Sequence, residues 1–227
     1  RLKKFDSQGR PQSSWGDASR EFRSLKKPSG IAIDGQGFLY VTDAGANCVM
    51  KFSKEGKFVA KWGKQGSKPG ELMGPLGIAV DRSSDIYVAD SGNSRIVKYS
   101  TGGVAKKYWG KPGPGRGEFV FPAAVAVTSQ NEILVVDRVH VQRFTPEGEV
   151  LASWGKAGTG DGEINRPLGL AADPQDYIYV ADTGNNRIQK FALNGKFINK
   201  WGSAGTGEGQ MMGPVSIAIS DKGSVFV

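Results

Sequence analysis

The sequence predicts an all-β fold built by repeating one four-stranded unit, and three observations carry the prediction. All five tryptophans, Trp15, Trp62, Trp109, Trp154 and Trp201, are followed by Gly, at spacings of 47, 47, 45 and 47 residues. Thirteen residues after each stands a proline (Pro28, Pro75, Pro122, Pro167, Pro214) that opens a short apolar stretch: PSGIAID, PLGIAVD, PAAVAVT, PLGLAAD and PVSIAIS. Gly accounts for 33 of 227 residues, about twice ordinary usage, and Gly or Pro interrupts every window long enough for a helix. Four short strands in a period of about 45 residues are the signature of a β-propeller blade.

Each element follows from local pattern. In the unit opening at Pro75, strands are predicted at Gly77–Val80, Asp85–Ala89, Arg95–Tyr99 and Val104–Trp109, apolar at alternate positions and bounded by Gly, Asp, Asn or Ser. The hairpin connections carry turn residues, as in Asp34-Gly35-Gln36-Gly37, Ser53-Lys54-Glu55-Gly56 and Thr145-Pro146-Glu147-Gly148. A lone four-stranded sheet cannot bury both faces, so the units stack around an axis. Blades fall at about 28–63, 75–110, 122–155 and 167–202, and a fifth combines 214–227 with 1–16, all in a single domain. RLKKF at the start aligns with RIVKY at 95–99, a third strand, and SVFV at 224–227 aligns with the second strand of IYVAD at 86–90. The expectation is therefore a propeller of four-stranded antiparallel blades with five repeats and a terminal blade shared between the N- and C-terminal strands. The alternative is an excerpt of a larger, six-bladed parent, and the ends at Arg1 and Val227 are read as those of an excerpt.

Composition narrows the chemistry. One cysteine, Cys48, excludes an internal disulfide framework, and one histidine, His140, excludes a zinc site built from several imidazoles. Nucleophilic catalysis of the Ser-His or Cys-His kind would rest on His140 alone. No apolar run approaches the roughly 18 residues of a membrane-spanning helix. The net charge of +8 fits an anionic partner or plain solubility.

Units such as PLGLAADPQDYIYVADTGNNRIQKFALNGKFINKWG resemble NHL repeats. Their Asp-x-Gly-Asn-x-Arg element stands at Asp90-Ser91-Gly92-Asn93-Ser94-Arg95 and Asp182-Thr183-Gly184-Asn185-Asn186-Arg187, with a degenerate copy at Asp43-Ala44-Gly45-Ala46-Asn47-Cys48. The resemblance implies three functional classes: RNA- or protein-binding modules of translational repressors and ubiquitin ligases, extracytoplasmic modules of surface proteins and receptors, and metal-dependent lyases. The regularity of the units is closest to the extracytoplasmic type, which sets an extracellular or cell-surface location ahead of a cytoplasmic one.

Features that recur from blade to blade read as structure: the Asp-x-Gly-Asn-x-Arg turns, the tryptophans wedged between blades, and the glycine-rich loops at 110–119 and 155–164, which lack the following helix a phosphate loop needs. Features that vary read as recognition. Connections between blades and second-to-third-strand loops share one face of a propeller, and that face carries Arg20, Arg23, Lys26, Lys27, Lys64, Lys68, Lys111, Arg116 and Arg166. The opposite turns carry Asp6, Asp34, Glu55, Asp81, Asp85, Glu132, Glu147, Asp173, Asp176 and Asp221, which predicts one basic and one acidic face. Phe121 stands where other units have Gly74, Arg166, Gly213 and Lys27, and Asp137-Arg138-Val139-His140 shortens the loop of the third unit. These bases with Phe121, Arg138 and His140 form the candidate ligand site. The innermost strands offer no carboxylate or imidazole, so no catalytic residue, metal or cofactor is expected. The expected function is a non-catalytic scaffold binding a protein or peptide, with RNA as the alternative partner and a metal-dependent lyase or hydrolase behind both.

Overall fold

The computed structural model describes residues 1–15 and 24–227. Arg20 and Arg23 lie outside the described residues. Four antiparallel four-stranded blades follow one another: β3 to β6 (Pro28–Ile33, Leu39–Asp43, Cys48–Phe52, Phe58–Trp62), β7 to β10 (Ile78–Val80, Ile86–Asp90, Arg95–Tyr99, Ala105–Trp109), β11 to β14 (Ala124–Val127, Ile133–Val136, Val141–Phe144, Val150–Trp154) and β15 to β18 (Gly169–Ala172, Ile178–Asp182, Arg187–Phe191, Phe197–Trp201). These are called blades 1 to 4. A two-stranded sheet, β1 and β2 (Leu2–Phe5, Pro11–Trp15), precedes them and another, β19 and β20 (Ala218–Ile219, Val225–Phe226), follows. Strands predicted for the Pro75 unit match those of blade 2 to within one residue.

The two terminal pairs were expected to share one sheet, and here the structure differs. No ladder joins them: β1 pairs only with β2, and β19 only with β20. Each pair instead covers a flank. Leu2 and Trp15 pack on Val41, Met50 and Phe52 of blade 1, and Ile219 and Val225 pack on Tyr179 and Ile188 of blade 4. Sequence alignment assigns each pair its place in a blade, but it does not specify the edge register that would zip β20 to β1.

The cores lie between blades, not within them. Second strands are buried on both faces, so Ile86 and Val88 join a cluster with Tyr40, Val49 and Trp62 of blade 1 while Tyr87 and Ala89 join Phe119, Val125 and Phe144 towards blade 3. Burial on both faces explains why these strands read as continuous apolar runs. Four of the five tryptophans are covered by the outer-turn glycine of the sheet that follows. A Cβ on Gly56, Gly103, Gly148 or Gly195 would come within 2.6–2.7 Å of the indole of Trp15, Trp62, Trp109 or Trp154, closer than real side-chain contacts allow. Hydroxyls tie neighbouring blades as well: Ser29 donates to the Pro75 carbonyl at 2.7 Å, Ser91 to Pro122 at 2.5 Å and Thr183 to Pro214 at 2.6 Å.

The expected acidic face is free only in part: Glu55, Glu147 and Asp221 are exposed, but five of its acids are buried. Asp34, Asp81 and Asp173 are buried, each accepting backbone amides of its own turn and the hydroxyl of Tyr40, Tyr87 or Tyr179 at 2.9–3.0 Å. Desolvation and the neighbouring carboxylate push the Tyr40 and Tyr87 phenols well above their ordinary range. These side chains close hairpins, and that use fixes them inward.

Candidate ligand-binding site

The Asp-x-Gly-Asn-x-Arg element builds the face that carries the site. Asp90 is fully buried and accepts Arg95 Nε at 2.8 Å, Asn93 Nδ2 at 2.8 Å and the Met73 amide at 2.6 Å. The same guanidinium donates to the carbonyls of Ser67 at 2.7 Å, Lys68 at 3.2 Å and Glu71 at 2.9 Å. One ion pair thus clamps the second-to-third-strand turn onto the connection between blades, and Asp182 with Arg187 repeats it in blade 4. A buried Arg–Asp pair needs such added hydrogen bonds to offset its desolvation. The recurrence of the element is therefore structural.

His140 performs the same duty in blade 3. Its Nδ1 lies 2.8 Å from Asp137 Oδ1 and its Nε2 lies 3.4 Å from the Gly115 carbonyl, and the ring is buried. Burial is the largest influence on its pKa and opposes the charge, but the hydrogen bond and charge of Asp137, with the Gly115 carbonyl, outweigh it and leave the pKa raised. Of the sequence-predicted site residues, His140 is the one turned inward.

Three exposed lysines of the blade connections are answered from within their own loops. Lys64 pairs with Glu71 at 3.5 Å, Lys111 with Glu118 at 3.2 Å, and Lys156 with Glu163 at 3.0 Å. The glutamates in turn accept the amides of Lys68, Gly115 and Gly160 at 2.8–3.0 Å, and those amides hold the three carboxyls below their ordinary pKa. The amides a phosphate would need in these glycine-rich loops are thus occupied. Lys26, Lys27, Lys68 and Arg116 are exposed on separate connections, Lys27 lining the mouth of the central channel and Lys68 a shallow depression with Lys64 and Glu71.

Three predicted residues do come together. Phe121, Arg138 and Arg166 line one pocket of about 300 Å3 between blades 3 and 4, with Ala123, Pro167, Leu168, Thr183 and Gly184. The guanidinium carbon of Arg138 lies 4.9 Å from the centre of the Phe121 ring. Phe121 and Arg166 both precede prolines in the left-handed region, with φ of 60° and 50°; Gly74 and Gly213 hold the corresponding places with φ of 55° and 61°. Arg138 also stands in a glycine's place. Its amide donates to the Val120 carbonyl, a bond made elsewhere by Gly92 to Met73 and Gly184 to Asn165. Because the loop at 137–140 is two residues shorter, no serine or threonine follows Asp137. Among the described residues no side-chain hydroxyl ties the Pro167 carbonyl, and there the pocket opens.

Ala123 and Leu168 also line the adjoining central channel, of about 650 Å3, with Gly30, Ile31, Gly77, Ile78, Val125 and Leu170. Sequence reasoning missed the apolar walls Ala123, Pro167 and Leu168. The usable signal was a large residue before proline in two successive units, Phe121 and Arg166, where Gly74 and Gly213 stand in two others. Among the described residues no group of three or more His, Cys, Asp or Glu is placed to hold a metal ion, and no helix is long and apolar enough to cross a membrane.

A family model described as a 6-bladed beta-propeller, DUF5128, matches residues 23–108, and the NHL repeat model matches residues 165–191. Among curated proteins none matches the chain. Among solved structures it is similar to virginiamycin B lyase from Staphylococcus aureus, at 16% identity and TM-score 0.67 over 95% of this chain and 66% of that one. The chain therefore spans just under two thirds of that lyase. It is also similar to a streptogramin B lyase, at 18% identity and TM-score 0.69 over 98% of this chain and 81% of that one. A chain of a nidogen/laminin complex matches at 16% identity and TM-score 0.66, over 86% of this chain and 68% of that one. At such identities the likeness shows the fold, and with blade topology and family models in agreement, the chain is a β-propeller whose residues 165–191 match the NHL repeat.

Proposed function

We propose that this propeller is a non-catalytic binding module that recognises a protein or peptide through the loop face around Phe121, Arg138 and Arg166. The observation that carries the reading is the pocket itself: three large side chains gathered at places where Gly74, Gly213, Gly92 and Gly184 stand in sister units, two of them in a backbone conformation that costs an L-residue about 1–2 kcal/mol. Strain of this kind persists where surrounding structure holds it, and it concentrates at ligand sites. The fold alone does not choose a function, since solved propellers of this shape include both a lyase and a partner in a laminin complex. Two features favour binding over catalysis. The sole histidine is committed to a turn, and the channel is walled mainly by glycines and aliphatic side chains, with Lys27, Ser29 and Ser216 as its polar members.

The test is selection from a displayed library of random peptides on the immobilised propeller. Enrichment lost with Phe121→Ala and retained with Lys54→Ala supports the reading. Enrichment indifferent to Phe121, preferential binding of single-stranded RNA with steep salt dependence, or a stoichiometric metal ion in the purified protein would overturn it.

A further inference from the structure

We infer that the pocket between blades 3 and 4 captures the C-terminal residue of a partner polypeptide, the α-carboxylate meeting Arg138 and Arg166 and an apolar side chain lying against Phe121, Pro167 and Leu168. The inference rests on the protein-binding reading above and specifies its ligand.

Charge comes first. Arg95 and Arg187 are each buried against an aspartate, whereas Arg138 and Arg166 are exposed and, among the described residues, neither guanidinium has an acidic partner. Two unopposed guanidiniums at one rim favour an anion, and the planar fork of arginine suits a carboxylate. Size comes second. A volume of about 300 Å3 is at the small end of ligand sites, room for about one residue. A carboxylate and an apolar side chain occur on the same residue only at a chain's C-terminus; an internal Asp or Glu brings the charge without the apolar group.

The surroundings argue against a nucleic acid. A phosphate backbone is held by a succession of free bases along a groove, but Lys64, Lys111 and Lys156 on this face are each paired with a glutamate of their own loop. Lys26, Lys27, Lys68 and Arg116 also lack an acidic partner among the described residues but do not line this pocket, whereas Arg138 and Arg166 meet at one rim, which suits a single carboxylate.

The experiment is an NMR titration of the 15N-labelled chain, following the arginine side-chain Nε–H signals. The probes are acetyl-Ser-Gly-Leu with a free carboxylate, the same peptide amidated, an amidated peptide with an internal Glu, and a uridine oligonucleotide. The free acid should shift the Arg138 and Arg166 signals, and amidation should weaken binding about tenfold or more. Arg166→Gly should weaken the acid comparably while leaving the unfolding temperature unchanged or higher, since glycine accepts the left-handed backbone. Arg138→Ala should weaken it as well. Equal affinity for acid and amide, or no shift by about 10 mM peptide, overturns the inference, as does a tighter complex with the oligonucleotide. Equal binding of the internal-Glu peptide, lost in Arg166→Gly, overturns terminal capture and leaves the protein-binding reading standing.

Discussion

Arg138 lies over the face of Phe121, its guanidinium carbon 4.9 Å from the ring centre. Each residue orients the other, through an attraction of about 0.5–1 kcal/mol at an exposed site. Arg166→Gly separates this recognition surface from the fold. With φ of 50° at Arg166, the glycine variant should unfold at the parental temperature or up to about 2–4 °C higher, the shift expected for roughly 1 kcal/mol in a domain of this size. Thermal unfolding followed by circular dichroism checks it.

The packing of Gly148 on the Trp109 indole sets a second test. A Cβ there would sit 2.6 Å from the ring in a backbone with φ of +86°, so Gly148→Ala combines backbone strain with overpacking and should cost about 2–4 kcal/mol. Gly209 has φ of +73° and open space around its Cβ position. Gly209→Ala should cost only about 1–2 kcal/mol. Urea unfolding of the two variants side by side distinguishes contact from conformation.

Asp90→Ala removes a fully buried carboxylate and leaves Arg95, Asn93 and the Met73 amide without their shared acceptor. Stranding a buried guanidinium should destabilise by about 3–5 kcal/mol. Asp182→Ala should do the same in blade 4, because Arg187 makes the same set of bonds. Denaturant midpoints measure both.

His140 gives the stability a pH dependence with a definite sign. Its pKa is raised in the fold above the ordinary 6.5, so the folded state holds the proton more tightly than the unfolded chain. The stabilisation is full below the ordinary value and disappears as pH rises through the raised one. Denaturant midpoints of the parent, relative to those of His140→Gln, should therefore decline on going from acidic to mildly alkaline pH. A difference that grew with pH would contradict the Asp137 pairing.

Cys48 is completely buried, and burial pushes its thiol up to about 11. Thiolate is the reactive form. The native protein at pH 8 should resist iodoacetamide and dithionitrobenzoate, and one thiol per chain should react once denaturant is added.

The Trp-Gly and Pro periods made the four-stranded repeat and the strand limits of the Pro75 unit legible, because a strand buried on both faces and a turn needing positive φ each constrain residue type locally. The roles of Asp90, Arg95 and the tryptophans were legible for the same reason: they recur. The role of His140 was not, since a shortened loop substitutes an imidazole for a guanidinium only once and its partner Gly115 lies on another loop. The basic face was visible as a tally of charges, but the tally could not reveal that Lys64, Lys111 and Lys156 are answered by glutamates seven residues along the same loops.

By itself the sequence determined the repeat, the antiparallel blade and the face on which variation falls, since these depend on patterns that period and turn chemistry impose within about fifty residues. Only the tertiary structure decided that Phe121, Arg138 and Arg166 meet, that the terminal strand pairs remain separate sheets, and that Asp34, Asp81, Asp85, Asp173 and Asp176 of the opposite turns are buried. Each of those outcomes depends on how two distant segments are brought into register and what they exclude from water, which stacking of the blades sets and local pattern does not encode.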